Sequence, residues 1–348
     1  MNMVKGNHMR AVTIDDVAKK AGVSIKTVSR VVNREPNVRA ATKEKVEAAI
    51  KELNYRPNQS ARGLAARRSY MIGLLYDNPS PNYLANLQSG VLEACHEKDY
   101  GLALNPVSFQ DPDLVETVVH WVLQSSIDGV LLTPPLTDSE ALLEALSQRN
   151  IPSAVISSRG TGDAPAALID EEEAAYEMTR HLIASGHSKI AFIKGHPDHY
   201  ASGLRERGFL RAMEAEGLKV LPGYAEQGYF DFASGQEAAS RLLDLADRPT
   251  AIFASNDDMA AAVIFEAHSR KIDVPGELAV AGFDDTPLSR QIWPGLTTVR
   301  QPIRSMGHQA AGLVLDTLAA GKGADEERKD VIQVDFELML RGSTAPAR

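Results

Sequence analysis

The sequence predicts a small all-α head joined to a larger α/β body built on two parallel sheets. Three observations predict it. Over roughly the first 60 residues, capped segments with apolar positions at helical spacing follow one another with no strand pattern between them. From Tyr70 onward, short apolar runs alternate with longer amphipathic stretches, the rhythm of strands crossed over by helices. The charge divides at the same place. Residues 1–68 hold 15 Lys and Arg against 6 Asp and Glu, whereas the remaining 280 hold 22 against 40. The net charge of −9 therefore hides a basic head on an acidic body, the asymmetry expected when one small domain meets a polyanion.

The head is legible helix by helix. Thr13 stands as an N-cap with Asp16 at the third helical position, Val17, Ala18 and Ala21 form the apolar stripe, and Gly22 supplies a left-handed stop. Ser24 caps a second helix with Val28, Val31 and Val32 on one face. Thr42 is read as the cap of a third, with Val46, Ala49, Ile50 and Leu53 inward. Three helices, the first two joined by a tight Gly-Val turn, form a helix-turn-helix pattern. The second helix has a valine back and a polar front of Ile25, Lys26, Ser29, Arg30 and Asn33. That front mixes base-edge readers with phosphate donors, as a helix entering the major groove requires. Pro57 ends the unit. Asn58 to Arg68, rich in Ala and Arg, is too weak a helix to fold alone and reads as a linker that becomes helical on binding.

In the body, strands are expected at 71–75, 102–104, 129–132, 154–156, 190–193, 251–254 and 278–281. Helices are expected at 83–98, 114–125, 172–185, 203–216, 234–246 and 257–270. Apolar strands between helices are buried on both faces, and ~150 residues per sheet gives two sheets. Ligands of such sheets bind beyond the carboxyl ends of the strands. Polar groups gather there: Asn82 and Tyr83, Ser157, His199, Arg205, Asn256 and Asp284. Asp284, Asn256 and Arg205 suit hydroxyl groups, while Phe230 and Tyr83 offer faces for an apolar ring. The acidic run Asp170 to Glu173 is read as negative charge at a helix N-terminus.

Several classes are excluded. The single Cys95, on an apolar helix face, rules out a disulfide framework and a Cys-rich zinc module. His181, His187, His196 and His199 are separated by 6, 9 and 3 residues, which matches no usual ligand pattern, so no metal is expected. There is no nucleophile elbow, phosphate loop or dinucleotide fingerprint, so neither a cofactor nor an enzyme activity is implied. No apolar run reaches the ~18 residues of a membrane span, and Met1 to Arg10 lacks the apolar core of a secretory signal. The chain reads as cytoplasmic, with no membrane partner.

The segment Thr13-Ile14-Asp15-Asp16-Val17-Ala18-Lys19-Lys20-Ala21-Gly22-Val23-Ser24, followed by Thr27-Val28-Ser29-Arg30-Val31-Val32-Asn33 and Asn54-Tyr55-Arg56-Pro57-Asn58, resembles the DNA-binding head of the lactose-repressor (LacI/GalR) family. The match is dense over residues 12 to 65 and continues more sparsely to the C-terminus. The resemblance implies base contacts from Ile25, Lys26 and Arg30. It implies mainly phosphate contacts from Thr13, Ser24, Thr27, Ser29 and Asn33, with Tyr55 in the DNA-binding set. Asn58, Ala61, Leu64 and Ala65 then fall in a hinge helix, where Leu64 wedges into the minor groove and bends the operator. The body resembles the family's effector domain, a type I periplasmic-binding-protein-like fold.

The organisation implied is a head over 11–57, a hinge over 58–69, and an effector-binding and dimerisation domain over 70–342. Within that domain, one subdomain takes about 70–168 and 298–330, and the other about 169–297 and 331–342. Function follows: a homodimeric, ligand-responsive repressor of carbohydrate-use genes, reading a near-palindromic operator and answering to a small effector, a sugar. Rival readings are a sugar-binding module without DNA function and a regulator that answers to a nucleoside or purine. Many relatives carry an acid where Ser157 stands, so the second carboxylate of a sugar site is missing at that position.

Overall fold

The structure is a computed structural model, and the residues it describes are 12–32, 38–55, 68–157, 164–320 and 330–344. They fall into two compact units divided between Tyr70 and Met71.

The first unit holds α1 (Ile14–Ala21), α2 (Ile25–Val32) and α3 (Ala40–Leu53). Thr13 and Asp16 form a full capping box, and Gly22 closes α1 at φ 67°, a left-handed conformation that costs glycine nothing. Ser24 Oγ accepts from the Thr27 amide, capping α2. The three helices meet on Val17, Ala18, Val28, Val31, Val46 and Ala49. One reading needs correction. Helix α3 begins at Ala40 after Arg39, which makes no side-chain cap bond, so Thr42 lies inside the first turn instead of capping it. Tyr55, placed in the DNA-binding set, is 9% exposed and packs into the core of the head.

The second unit contains two six-stranded sheets. The first runs β11-β5-β4-β3-β1-β2, from β1 (Met71–Tyr76), β2 (Gly101–Pro106), β3 (Gly129–Leu132), β4 (Ser153–Ile156), β5 (Ala166–Leu168) and β11 (Val331–Gln333). The second runs β12-β10-β9-β8-β6-β7, from β6 (Ile190–Lys194), β7 (Ala225–Gln227), β8 (Ala251–Ala254), β9 (Ala279–Asp284), β10 (Thr297–Arg300) and β12 (Glu337–Met339). All pairings are parallel except β10 with β12. Helices cover both sheets: α4 (Pro81–Glu97), α5 (Leu114–Gln124), α6 (Glu140–Gln148), α7 (Glu171–Ala184), α8 (Tyr200–Ala215), α9 (Phe232–Leu243), α10 (Asp257–Ser269), the single turn α11 (Leu288–Gln291) and α12 (Ile303–Ala320).

The expected subdomain boundaries are wrong at two points. Residues 298–300, assigned to the first subdomain, pair in register with β9 of the second sheet. Residues 331–333, assigned to the second, pair with β5 of the first. The chain crosses between the sheets at 301–303 and again between β11 and β12, and short edge strands carry too weak a pattern to show which sheet receives them.

Helices α7 and α8 pack closely because Gly208 has no Cβ. An added Cβ would lie 2.1 Å from the Glu172 carbonyl oxygen, a backbone atom that moves only if α7 moves. Gly208→Ala is therefore expected to cost about 1–3 kcal/mol by overpacking, read as a fall of several degrees in the melting temperature. An unchanged melt would show that the two helices separate freely.

Candidate functional site

The head presents α2 as its polar face. Ile25 is 47% exposed, and Ser24, Lys26 and Arg30 are exposed beside it. Thr27 and Ser29 are half-buried, while Val28 and Val31 fill the core behind. Thr13 lies at the start of α1 with its hydroxyl committed to Asp16. Asn33 and the hinge residues Asn58, Ala61, Leu64 and Ala65 lie outside the described residues.

In the body, the carboxyl ends of strands from both sheets open onto one cleft. The first sheet contributes Asn78, Ser80 and Tyr83 after β1, Pro134 after β3 and Ser157 after β4. The second contributes His199 after β6, Phe230 after β7, Asn256 after β8, Asp284 at the end of β9 and Gln301 after β10, with Arg205 from α8. Ser157, Phe230 and Asp284 sit at φ 70°, 64° and 112°, backbone conformations that non-glycine residues rarely adopt. Such strain concentrates where a fold must aim side chains at a site. Gly195 makes room for Phe230: a Cβ there would stand 2.2 Å from its ring.

Arg205 is the electrostatic centre. Its guanidinium, 4% exposed, donates through Nε to Glu171 at 2.8 Å and through Nη1 to the Ser255 carbonyl, and it lies 3.6 Å from the Phe283 ring centroid. Asp284 stands 4.0 Å away and accepts from Gln301 Nε2. Asp284 is held up at about 7, chiefly by burial, with Arg205 and Gln301 opposing the rise and Glu171 and Asp258 adding to it. Its neighbour Asp285 behaves oppositely. Burial alone would raise it, but hydrogen bonds from Arg300 and Arg341 hold it below the usual carboxylate range. Asp257, buried behind the cleft, is raised by burial and by Asp284 despite its bonds to Thr298 and Thr286. His199 is pushed down to about 3 by burial, His196 and Arg205, so it is neutral. It packs edge-on against Phe230, ring centroids 5.2 Å apart.

Seven of the eight residues picked from the sequence for this cleft line it. Asn82 does not: its carbonyl accepts from Asn86 within α4, and its side chain bonds to Asp258. Asn256 lines the cleft, but its amide oxygen caps α10 at Met259 and its amide nitrogen donates to the Phe230 carbonyl. It positions Phe230 as much as it offers bonds outward. Sequence reasoning missed Glu171 and Gln301. Of the run Asp170 to Glu173, Asp170 caps α7, Glu172 and Glu173 pair with Arg207 and Arg211 at the surface, and Glu171 turns inward, 2% exposed. Ser157 Oγ donates to Glu171 Oε1 at 2.9 Å, so a carboxylate stands behind that hydroxyl without itself lining the cleft. His181 and His187 bond to Thr344 and Thr250, and no group of three or more potential metal ligands occurs among the described residues.

A helical head with an exposed polar recognition face, carried by a body with a polar cleft at its strand ends, defines a ligand-responsive DNA-binding regulator. Residues 13–58 match the model of bacterial regulatory proteins of the lacI family, and residues 179–344 match a periplasmic binding protein-like domain. The chain is 35% identical over 339 residues to catabolite control protein A of Priestia megaterium, covering 96% of this chain and 99% of that protein. The repressor PurR of Serratia proteamaculans is also 35% identical, over 96% of this chain and 97% of the repressor. Among solved structures, the lac repressor dimer bound to operator and the anti-inducer ONPF superposes with a TM-score of 0.77 at 27% identity, covering 96% and 99% of the two chains. A complex of the regulator CelR with cellobiose gives 0.72 at 29% identity, over 95% and 99%. The chain belongs to the lacI family of bacterial regulatory proteins. It is a DNA-binding transcriptional regulator and not an enzyme, and no helix among its described residues is long and apolar enough to cross a membrane.

Proposed function

We propose that this protein is a homodimeric cytoplasmic repressor of carbohydrate-use genes whose effector is a neutral sugar held in the body cleft. One observation carries the reading. Two buried polar atoms of cleft residues have no hydrogen-bond partner, the Tyr83 hydroxyl, which lies near Ser157, and the Gln301 carbonyl oxygen. One donates and the other accepts, the complement of a ligand hydroxyl, and buried groups of this kind are costly unless something satisfies them. Charge supports a neutral ligand. Arg205 is the cation among the lining residues, and Glu171 and Ser255 already hold it. A phosphate or carboxylate would meet Asp284 with no further positive charge to receive it.

In this reading, the heads of two chains bind the halves of a near-palindromic operator, with residues 58–69 as paired hinges and Leu64 as the wedge. Thermal unfolding against neutral sugars, the same sugars as phosphates, and purines tests it. A neutral sugar at 100 times its dissociation constant is expected to stabilise the chain by about 2.7 kcal/mol. Stabilisation by a purine with no sugar response would replace the carbohydrate assignment.

The affinity is expected to depend on pH through Asp284, whose charged neighbours are Arg205, Glu171, Asp257 and Asp258. An ionised carboxylate accepts from two hydroxyls, so binding favours the deprotonated form. With the carboxyl at about 7, most of it must lose a proton on binding at pH 6 and little at pH 8. Affinity should therefore rise with pH, by about tenfold between pH 6 and 8. In the ligand-free protein the same shift acts on folding in the opposite sense, since stability falls between about 4 and about 7. Calorimetry at the two pH values checks the first effect, and a flat profile would mean that Asp284 does not touch the ligand.

A further inference from the structure

We propose that Glu171 is a positioning residue of the effector site, one carboxylate that fixes Arg205 on the second sheet's wall and Ser157 on the first's. The inference rests on reading the cleft as the effector site. Glu171 opens α7, on the second-sheet side, and is 2% exposed. Its two oxygens are divided. Oε2 accepts from Arg205 Nε at 2.8 Å, and Oε1 accepts from Ser157 Oγ at 2.9 Å, at the end of β4 in the first sheet.

A buried guanidinium requires a counter-charge, and breaking such a pair is expensive because the surviving charge stays buried. Asp284 serves poorly in that role. It is farther from Arg205, at 4.0 Å, and burial favours its neutral form. Glu171 therefore carries the compensation and leaves Asp284 available to a ligand. Its second oxygen makes the placement of Arg205 depend on the position of the opposite wall. The two sides of the body are also joined by Ser80 donating to Asp258, by the Tyr200 amide donating to Asp138 and by Gln110 donating to Asp198. Of these links, the one through Glu171 alone reaches a ligand-facing cation.

Glu171→Gln keeps the volume and removes the charge, so it tests the role without a cavity. Ser157→Asp combined with Glu171→Ser exchanges acid and hydroxyl across the observed hydrogen bond. Two measurements on the full chain decide the matter. In the ligand-free protein labelled with 15N-arginine, the Arg205 Nε–H signal, assigned by its loss in Arg205→Lys, is expected to be protected from solvent exchange. It should exchange at least about tenfold faster in Glu171→Gln and recover in the exchanged pair. In calorimetry with cellobiose and D-glucose as probes, Glu171→Gln should weaken binding at least about tenfold, and the exchanged pair should recover most of it. An unaltered Arg205 signal in Glu171→Gln overturns the proposal, as does an exchanged pair no better than Glu171→Ser alone. Should the wild type bind neither sugar while the Arg205 signal responds as stated, the sugar assignment fails and the positioning role stands.

Discussion

Arg205→Ala is expected to weaken effector binding by more than about a hundredfold, the largest single effect at the cleft. Removing the guanidinium strands Glu171, 2% exposed, in a dry site and leaves the Ser255 carbonyl unpaired. Breaking a buried ion pair from one side costs ~3–5 kcal/mol, and each ~1.4 kcal/mol is one decade of affinity. Part of that cost falls on the ligand-free fold, so the melting temperature should drop as well. Asp284→Ala is milder, since the residue lost is a ligand acceptor already close to neutrality. It frees Gln301 Nε2 and should weaken binding about tenfold or more. Operator affinity without effector should stay near wild type in both, because the head is untouched. Calorimetry and a DNA-binding titration measure the two effects separately. Unchanged effector affinity in both variants would move the site away from this cleft.

Arg30→Ala is expected to abolish sequence preference at the operator, with Lys26→Ala relaxing it at one symmetric position. Both residues are exposed on α2, whose Val28 and Val31 are locked into the head by the core behind them. A base contact is worth ~1–3 kcal/mol, and a dimer makes each contact twice. Selection from randomised operators, with affinity measured at several salt concentrations, reads the outcome. A uniform loss over all sequences with a shallower salt dependence would reassign the residue to a phosphate. Wild-type selectivity in Arg30→Ala would mean that α2 does not lie in the groove.

How much of this was legible in the sequence depended on whether a residue's environment is local. The capping box of Thr13 and Asp16, the Gly22 stop and the valine face of α2 are set within a few positions of chain, and the structure reproduces them. Thr42 misled for an instructive reason. Helix α3 starts three residues earlier, on Ala40, with an arginine in the cap position that no capping preference anticipates. Asp170 and Glu171 were indistinguishable as letters. Both favour the start of a helix, and only the packing of α7 against α8 turns one outward to cap and the other inward to Arg205. Asn82 failed similarly, being a polar-tipped residue whose partner Asp258 lies far along the chain.

The sequence by itself determined the head, the alternation of strands and helices, the polar residues at the strand ends and the family they belong to. These follow from periodicity, caps and apolar runs, which act over one or two turns of chain. Tertiary structure alone decided which sheet receives β10 and β11, which carboxylate turns inward to Arg205, and which way burial and neighbouring charges push the aspartates there. Those outcomes depend on burial and on charges brought together from residues 157, 171, 205, 284 and 301. Desolvation and Coulomb energies are properties of the assembled neighbourhood, and no spacing along the chain encodes them.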